Sequence, residues 1–128
     1  MKLFVDDIRN APDDTWTVAR TVTSAINFIS MFGNDVTVIS LDHDISYPIE
    51  FGGLVRPYPS PESFQAVAHY IAEYWSFDGR TKPDVIIHSA NPVGARSIHH
   101  ILIDRDRFSE HRISIAPVGN ANRLEQEV

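Results

Sequence analysis

Three short apolar runs that break off into acid or imidazole constrain this chain more than any other feature. Asp35–Leu41 reads as a buried strand, and it ends in Asp42-His43-Asp44. Leu3-Phe4-Val5 runs into Asp6-Asp7-Ile8-Arg9, and Val85-Ile86-Ile87 runs into His88-Ser89-Ala90-Asn91-Pro92. Strands of a parallel sheet are covered on both faces, so their interiors are apolar and their carboxyl ends open onto the crevice where ligands bind. Three runs of this form predict an α/β protein whose polar chemistry is gathered at one sheet edge.

The rest of the chain supplies the partners such a sheet needs. Lys2–Val5 is the first strand, and Asp6 to Thr15 is too broken for a full helix, reading as a loop or single turn. Thr17–Val22 alternates weakly and suits an edge strand. Thr23 is placed to cap a helix through about Phe32, stopped by Gly33-Asn34. Ile45 to Pro61 carries Pro48, Gly52-Gly53, Pro57, Pro59 and Pro61, and reads as a long irregular loop of the kind that covers sites. Ser60 with Pro61 would then cap a helix whose buried stripe is Phe64, Val67, Ala68, Ile71 and Trp75, ended by Asp78-Gly79. Pro83–His88 is a fourth strand, Val93 to Asp104 a helix behind Asn91-Pro92, and Arg112–Val118 the last strand. Residues 120–128 read as a loose polar tail of one domain spanning 1–128. Five strands alternating with three or four helices predict a flavodoxin-like, doubly wound parallel sheet of order 2-1-3-4-5 with a shortened first helix.

Composition narrows the function classes. The 128 residues fit one domain with a real core. With no cysteine, disulfides and thiolate metal sites are excluded, and the cytoplasm is the expected compartment. No apolar stretch approaches the roughly 20 residues of a membrane span, and the N-terminus lacks a signal-like layout. A formal net charge of −6 argues against a sequence-independent grip on duplex DNA. It leaves open a small phosphate ligand, because local arginines or a metal ion outweigh the global field.

In the predicted order, Asp6, Asp7 and Asp42 share one small volume at the switch point, with His88 and Ser89 on the neighbouring strand end. Clustered carboxylates repel one another, and a hard divalent cation, Mg²⁺ or else Mn²⁺, is the common resolution. His43 lies between Asp42 and Asp44, where a carboxylate neighbour fixes an imidazole's tautomer. His43 and His88 are the candidates for general base and general acid across a phosphoester, with Asp44 orienting His43. Asn91-Pro92-Val93-Gly94 reads as a helix start able to hold an anion, with Ser89 adding a hydroxyl and Arg9 and Arg96 guanidinium forks. Gly52 and Gly53 are candidates for close backbone approach over the site. His69, His99, His100 and His111 read as surface residues.

Two resemblances rest on these residues. Asp6-Asp7 after the first strand, Asp42 after the third and Ser89 after the fourth resemble the receiver domains of two-component signalling. That likeness implies Mg²⁺ on the acid pair and a phosphoryl group accepted by Asp42. However, no lysine follows the last strand in Ala116-Pro117-Val118-Gly119, and His43 and His88 are not receiver features. The chain more specifically resembles the cyclic-phosphate-processing receiver-like family. The likeness lies in Leu3-Phe4-Val5-Asp6-Asp7-Ile8-Arg9-Asn10-Ala11-Pro12, Leu41-Asp42-His43-Asp44 and His88-Ser89-Ala90-Asn91-Pro92-Val93-Gly94. It implies a phosphoesterase acting on a nucleotide or RNA terminus that bears a cyclic phosphate. A phosphoacceptor receiver and a non-catalytic cyclic-nucleotide-binding module are the competing readings, and pairing of receiver-like folds through an outer face leaves a homodimer open.

Overall fold

The computed structural model describes residues 1–51, 54–76, 80–104, 108 and 112–116, with backbone only for 46–51 and 54–61. In chain order the elements are β1 (Lys2–Val5), β2 (Trp16–Ala19), α1 (Val22–Phe32), β3 (Val38–Leu41), β4 (Asp44–Phe51), β5 (Leu54–Ser63), α2 (Gln65–Tyr74), β6 (Asp84–His88), α3 (Pro92–Ile103) and β7 (Ile113–Ala116). β1, β2, β3, β6 and β7 form one parallel sheet of order β2-β1-β3-β6-β7. With the β4–β5 pair set aside, this is the expected 2-1-3-4-5 order, consistent with a flavodoxin-like, receiver-like fold.

The core forms because alternate strand residues point to opposite faces. Leu3, Val5, Ile39, Leu41, Val85 and Ile87 are fully buried against Ala25 and Ile29 of α1, Val67 and Ile71 of α2, and Ile98 and Leu102 of α3. Each such side chain contributes roughly 1.5–3 kcal/mol of burial free energy. Helix α2 lies between α1 and α3. Lys2, Phe4, Trp16, Val18, Val38, Ser40 and Ile86 alternate onto the other face, and none joins the helix-packed cluster. Among the described residues the three helices therefore all cover one face, and none of these helices is long and apolar enough to cross a membrane.

Three local expectations are corrected. Helix α1 is capped by Thr21, not Thr23: Thr21 Oγ1 accepts from the Ser24 N–H at 3.0 Å, and Ser24 Oγ accepts from the Thr21 N–H at 3.1 Å. This reciprocal box satisfies two backbone donors where Thr23 would satisfy one, and it pulls β2 back to Trp16–Ala19. The stretch expected as an irregular loop is a hairpin, with β4 antiparallel to β5 and Pro48 opposite Pro57. Facing prolines place both missing donors on one rung, which a two-stranded ribbon tolerates. Finally, β5 runs through Ser63, so Ser60 and Pro61 lie in a strand and do not start α2. Helix α2 begins after Phe64, a fully buried anchor without a side-chain cap, whose N–H donates to the His43 carbonyl at 2.8 Å. Gly52, Gly53, Asp78, Gly79, His111, Pro117, Val118 and the expected tail lie outside the described residues.

Candidate active site

Parallel register sets the site. Phe4 pairs with Ser40, and Ser40 with Ile86. Two residues further on, Asp6, Asp42 and His88 leave three adjacent strands at one level. Asp6 and Asp42 are 0% and 2% exposed. Two carboxylates so deeply buried need a counter-charge, and Arg9 supplies it. Its Nη1 donates to Asp6 Oδ2 at 3.1 Å and to Asp42 Oδ2 at 2.9 Å. Arg9 is itself buried, and its Nε has no hydrogen-bond partner. The turn after β1 closes on the same acid, with Asp6 Oδ1 accepting from the backbone N–H groups of Ile8 and Arg9, both at 2.9 Å. Arg20 ties this turn to β2 by donating to the carbonyls of Asp6 and Arg9 at 3.2 and 2.6 Å.

His88 completes the cluster. Its ring stacks on Phe4 with centroids 4.5 Å apart, Nε2 lies 2.9 Å from Asp6 Oδ2, and Nδ1 lies 2.6 Å from Ser40 Oγ. An ionised Asp6 can only accept, so Nε2 carries the proton and Nδ1 can accept from the Ser40 hydroxyl. Both ring nitrogens are engaged inside the protein.

One guanidinium between two carboxylates leaves an excess negative charge, and the two acids divide it unequally. Burial works against ionising Asp6, but the hydrogen bond from His88 and those from the Arg9 and Ile8 backbone outweigh it and hold Asp6 at about 2. Burial pushes Asp42 up to about 7, reinforced by the nearby charge of Asp6 and opposed by Arg9 and the His43 N–H. Arg9 also faces a burial penalty, which attraction to Asp42 and Asp6 exceeds, raising its pKa above its ordinary value. Divergent pKa values in one cluster are a mark of functional acids and bases. Asp7 is partly buried beside this pair, and Asp6, Asp7 and Asp42 each offer a carboxylate oxygen within 4.8 Å of the others.

His43 occupies a different setting, at the starts of α2 and α3. Its N–H donates to Asp42 Oδ1 at 2.8 Å, so the two groups are joined through the backbone. Its ring Nδ1 lies 2.7 Å from Asp44 Oδ1, and its Nε2 lies 3.0 Å from the Gln65 amide nitrogen. Asp44 must accept and the Gln65 amide nitrogen must donate. Nδ1 therefore carries the proton and Nε2 presents its lone pair. Asn91 braces the pair, donating from Nδ2 to Asp44 Oδ1 at 3.2 Å while its Oδ1 caps α3 by accepting from the Gly94 N–H at 3.1 Å. Gly94 is required because a Cβ there would stand 2.5 Å from His43 Nδ1. Ser89 Oγ accepts from the Asn91 N–H at 3.1 Å, a bond that leaves its own hydroxyl proton uncommitted.

The residues singled out in the sequence thus form two adjoining groups: Asp6, Arg9, Asp42 and His88 in a buried cluster with Asp7 beside it, and His43, Asp44, Ser89, Asn91 and Gly94 around the partly exposed His43 imidazole. Arg9 faces carboxylates, and Arg96 lies further along α3, exposed. Ser40 and Gln65 were not anticipated. A lone serine in a strand and a lone glutamine at a helix start carry no signal until the tertiary contacts exist.

The match to a family model comes at this point. The model for the cyclic-phosphate processing Receiver domain matches residues 1–104. The chain belongs to that family. The matched span contains every element of both groups just described, and it places β1 to α3 within the receiver domain. No curated protein and no solved structure matches this receiver domain.

Proposed function

We propose that this receiver domain is a phosphoesterase that opens a cyclic phosphate on a nucleotide or RNA terminus, with His43 as its proton-handling group. The observation that carries the reading is the Asp44–His43 pair joined, through the His43 N–H on Asp42, to the Asp6–Arg9–Asp42 cluster. An imidazole whose Nδ1–H is held by a carboxylate keeps its Nε2 in the tautomer and orientation needed to take a proton from attacking water. Gln65 holds that lone pair until water or a substrate hydroxyl replaces it. His88, engaged on both nitrogens, serves better as the support that orients Asp6 than as a second proton carrier.

Phosphate binding follows from the donors around this pair. The Ser89 hydroxyl stands at the start of α3, hydrogen-bonded to its cap residue Asn91, and a helix start favours negative charge. Arg9 supplies a fixed positive charge, and a phosphate oxygen is the kind of acceptor its unpartnered Nε lacks. The close carboxylates of Asp6, Asp7 and Asp42 suit a divalent cation with oxygen ligands, Mg²⁺ first and Mn²⁺ next, which would polarise the phosphoryl oxygen when bound. Because Nη1 of Arg9 already bridges Asp6 and Asp42, cation binding would require the guanidinium to turn outward. The burial of Asp42 and the engagement of both its oxygens support hydrolysis over phosphoryl transfer to Asp42.

The test is hydrolysis of a panel of 2′,3′-cyclic and 3′,5′-cyclic nucleotides and cyclic-ended RNA, with and without chelator. Turnover abolished by His43→Ala is the expected result. Folded protein that turns over no member of the panel, or becomes phosphorylated on Asp42 by acetyl phosphate, would rule the reading out.

A further inference from the structure

Between α2 and α3 runs an open groove of about 560 Å³ that the chemistry above does not use. Gln65 and His69, one turn apart on α2, face Arg96 and His100, one turn apart on α3, with Val93 and Ile101 supplying apolar surface. Among the described residues no acidic side chain lines the groove and Arg96 makes no ion pair, although the chain as a whole carries −6. An unpaired guanidinium flanked by two imidazoles in an acidic protein is complementary to an anion.

The groove is continuous with the site at two points. Gln65 lines it and also hydrogen-bonds His43 Nε2, while Val93 lines it next to Gly94, against which the His43 ring is seated. The end of the groove at the helix starts therefore adjoins the His43 ring.

We infer that the groove is a second-phosphate subsite. It takes the neighbouring phosphodiester and the intervening nucleoside of a ligand whose cyclic phosphate lies at the strand ends. Arg96 grips the phosphate oxygens, His69 and His100 add ring N–H donors, and the apolar surface of exposed Val93 and partly buried Ile101 carries the sugar or base. The preferred ligand is thus an oligonucleotide end, not a mononucleotide. This inference rests on the cyclic-phosphate reading above for what occupies the strand ends.

The experiment measures binding by calorimetry and by ¹⁵N chemical-shift mapping, using a 2′,3′-cyclic mononucleotide and a dinucleotide ending in the same cyclic phosphate. The dinucleotide is expected to bind about tenfold tighter, the gain of one good charge-assisted contact. That preference should shrink in high salt, because the groove is exposed. Arg96→Gln, at an exposed position that the fold does not need, should bring the two affinities to within about twofold, and His100→Gln should narrow the gap part-way. Equal binding of the two ligands by the unaltered protein overturns the subsite and leaves the cyclic-phosphate reading standing. Dinucleotide shifts confined to Arg96, Ser97 and His100, with no response at the strand ends, uphold the groove and count against that reading. A preference for the dinucleotide that survives both substitutions also overturns the subsite.

Discussion

The two groups at the carboxyl edge of the sheet are built from the same residue types and are held in opposite ways. Asp6, Arg9, Asp42, His88 and Ser40 are all at least nine-tenths buried, and their polar atoms mostly face one another. His43 and Asp44 are less enclosed, with side-chain exposures of 13% and 50%. Burial makes a hydrogen-bonded network strong and costly to break, whereas partial exposure lets a partner be exchanged for substrate. The first group is suited to hold charge in place, and the second to move a proton.

The most demanding test of that contrast is His43→Ala. It should lower turnover by about 10²- to 10⁴-fold, the usual worth of a positioned general base, while urea unfolding changes little. A comparable loss of stability would place His43 with the buried group. Arg9→Ala should do the reverse in equilibrium unfolding. It leaves two buried acids without their cation and should cost about 3–5 kcal/mol at neutral pH. A loss below about 1 kcal/mol would mean that Arg9 is not the structural counter-ion.

The pH dependence sharpens the comparison, because the two buried acids pull in opposite directions. Asp42 is raised to about 7 in the folded protein, so between about pH 4 and 7 the folded state binds more protons than the unfolded one. Its contribution is complete at the acid end of this window and is lost as pH rises through about 7. Asp6 is lowered to about 2, so its contribution is present above about pH 4 and is lost as pH falls through about 2. Metal-free protein should lose a few kcal/mol from about pH 4 to 7 through Asp42, and Asp42→Asn should flatten that slope. A carboxyl resonance of Asp42 that titrates below about pH 5 would remove this prediction.

Gly94→Ala crowds the His43 ring and should cost about 1–3 kcal/mol, with activity falling more than stability as the ring is displaced. Unchanged kinetics would show that the ring has room to move. Ser40→Ala, the mildest change, removes the partner of His88 Nδ1 and should cost about 1–3 kcal/mol through a buried nitrogen left unpaired, with turnover nearly intact. A large drop in turnover there would give His88 a chemical role.

Much of this arrangement was legible in the residues. The strand order followed from alternating runs, and the strand-end acids and His88 followed from where those runs stop. The hairpin was missed because its prolines hid a period of two: Ile45, Tyr47, Ile49 and Phe51 alternate with Ser46, Pro48 and Glu50 ahead of Gly52-Gly53. A Gly-Gly pair between alternating runs is itself a hairpin signal. The Thr21-x-x-Ser24 box was likewise present to be read.

What the chain determined unaided is what local physics controls: which runs are buried on both faces, where they end, and that Asn91-Pro92 opens a helix. Partner choice was settled only in three dimensions. Whether Arg9 meets phosphate or carboxylate, whether Gly94 serves an anion or the His43 ring, and that Ser40 and Gln65 each hold a histidine all depend on contacts between residues far apart in sequence. Such contacts exist only once the sheet has fixed its register, because each is made by a side chain whose neighbours along the chain are not its neighbours in space.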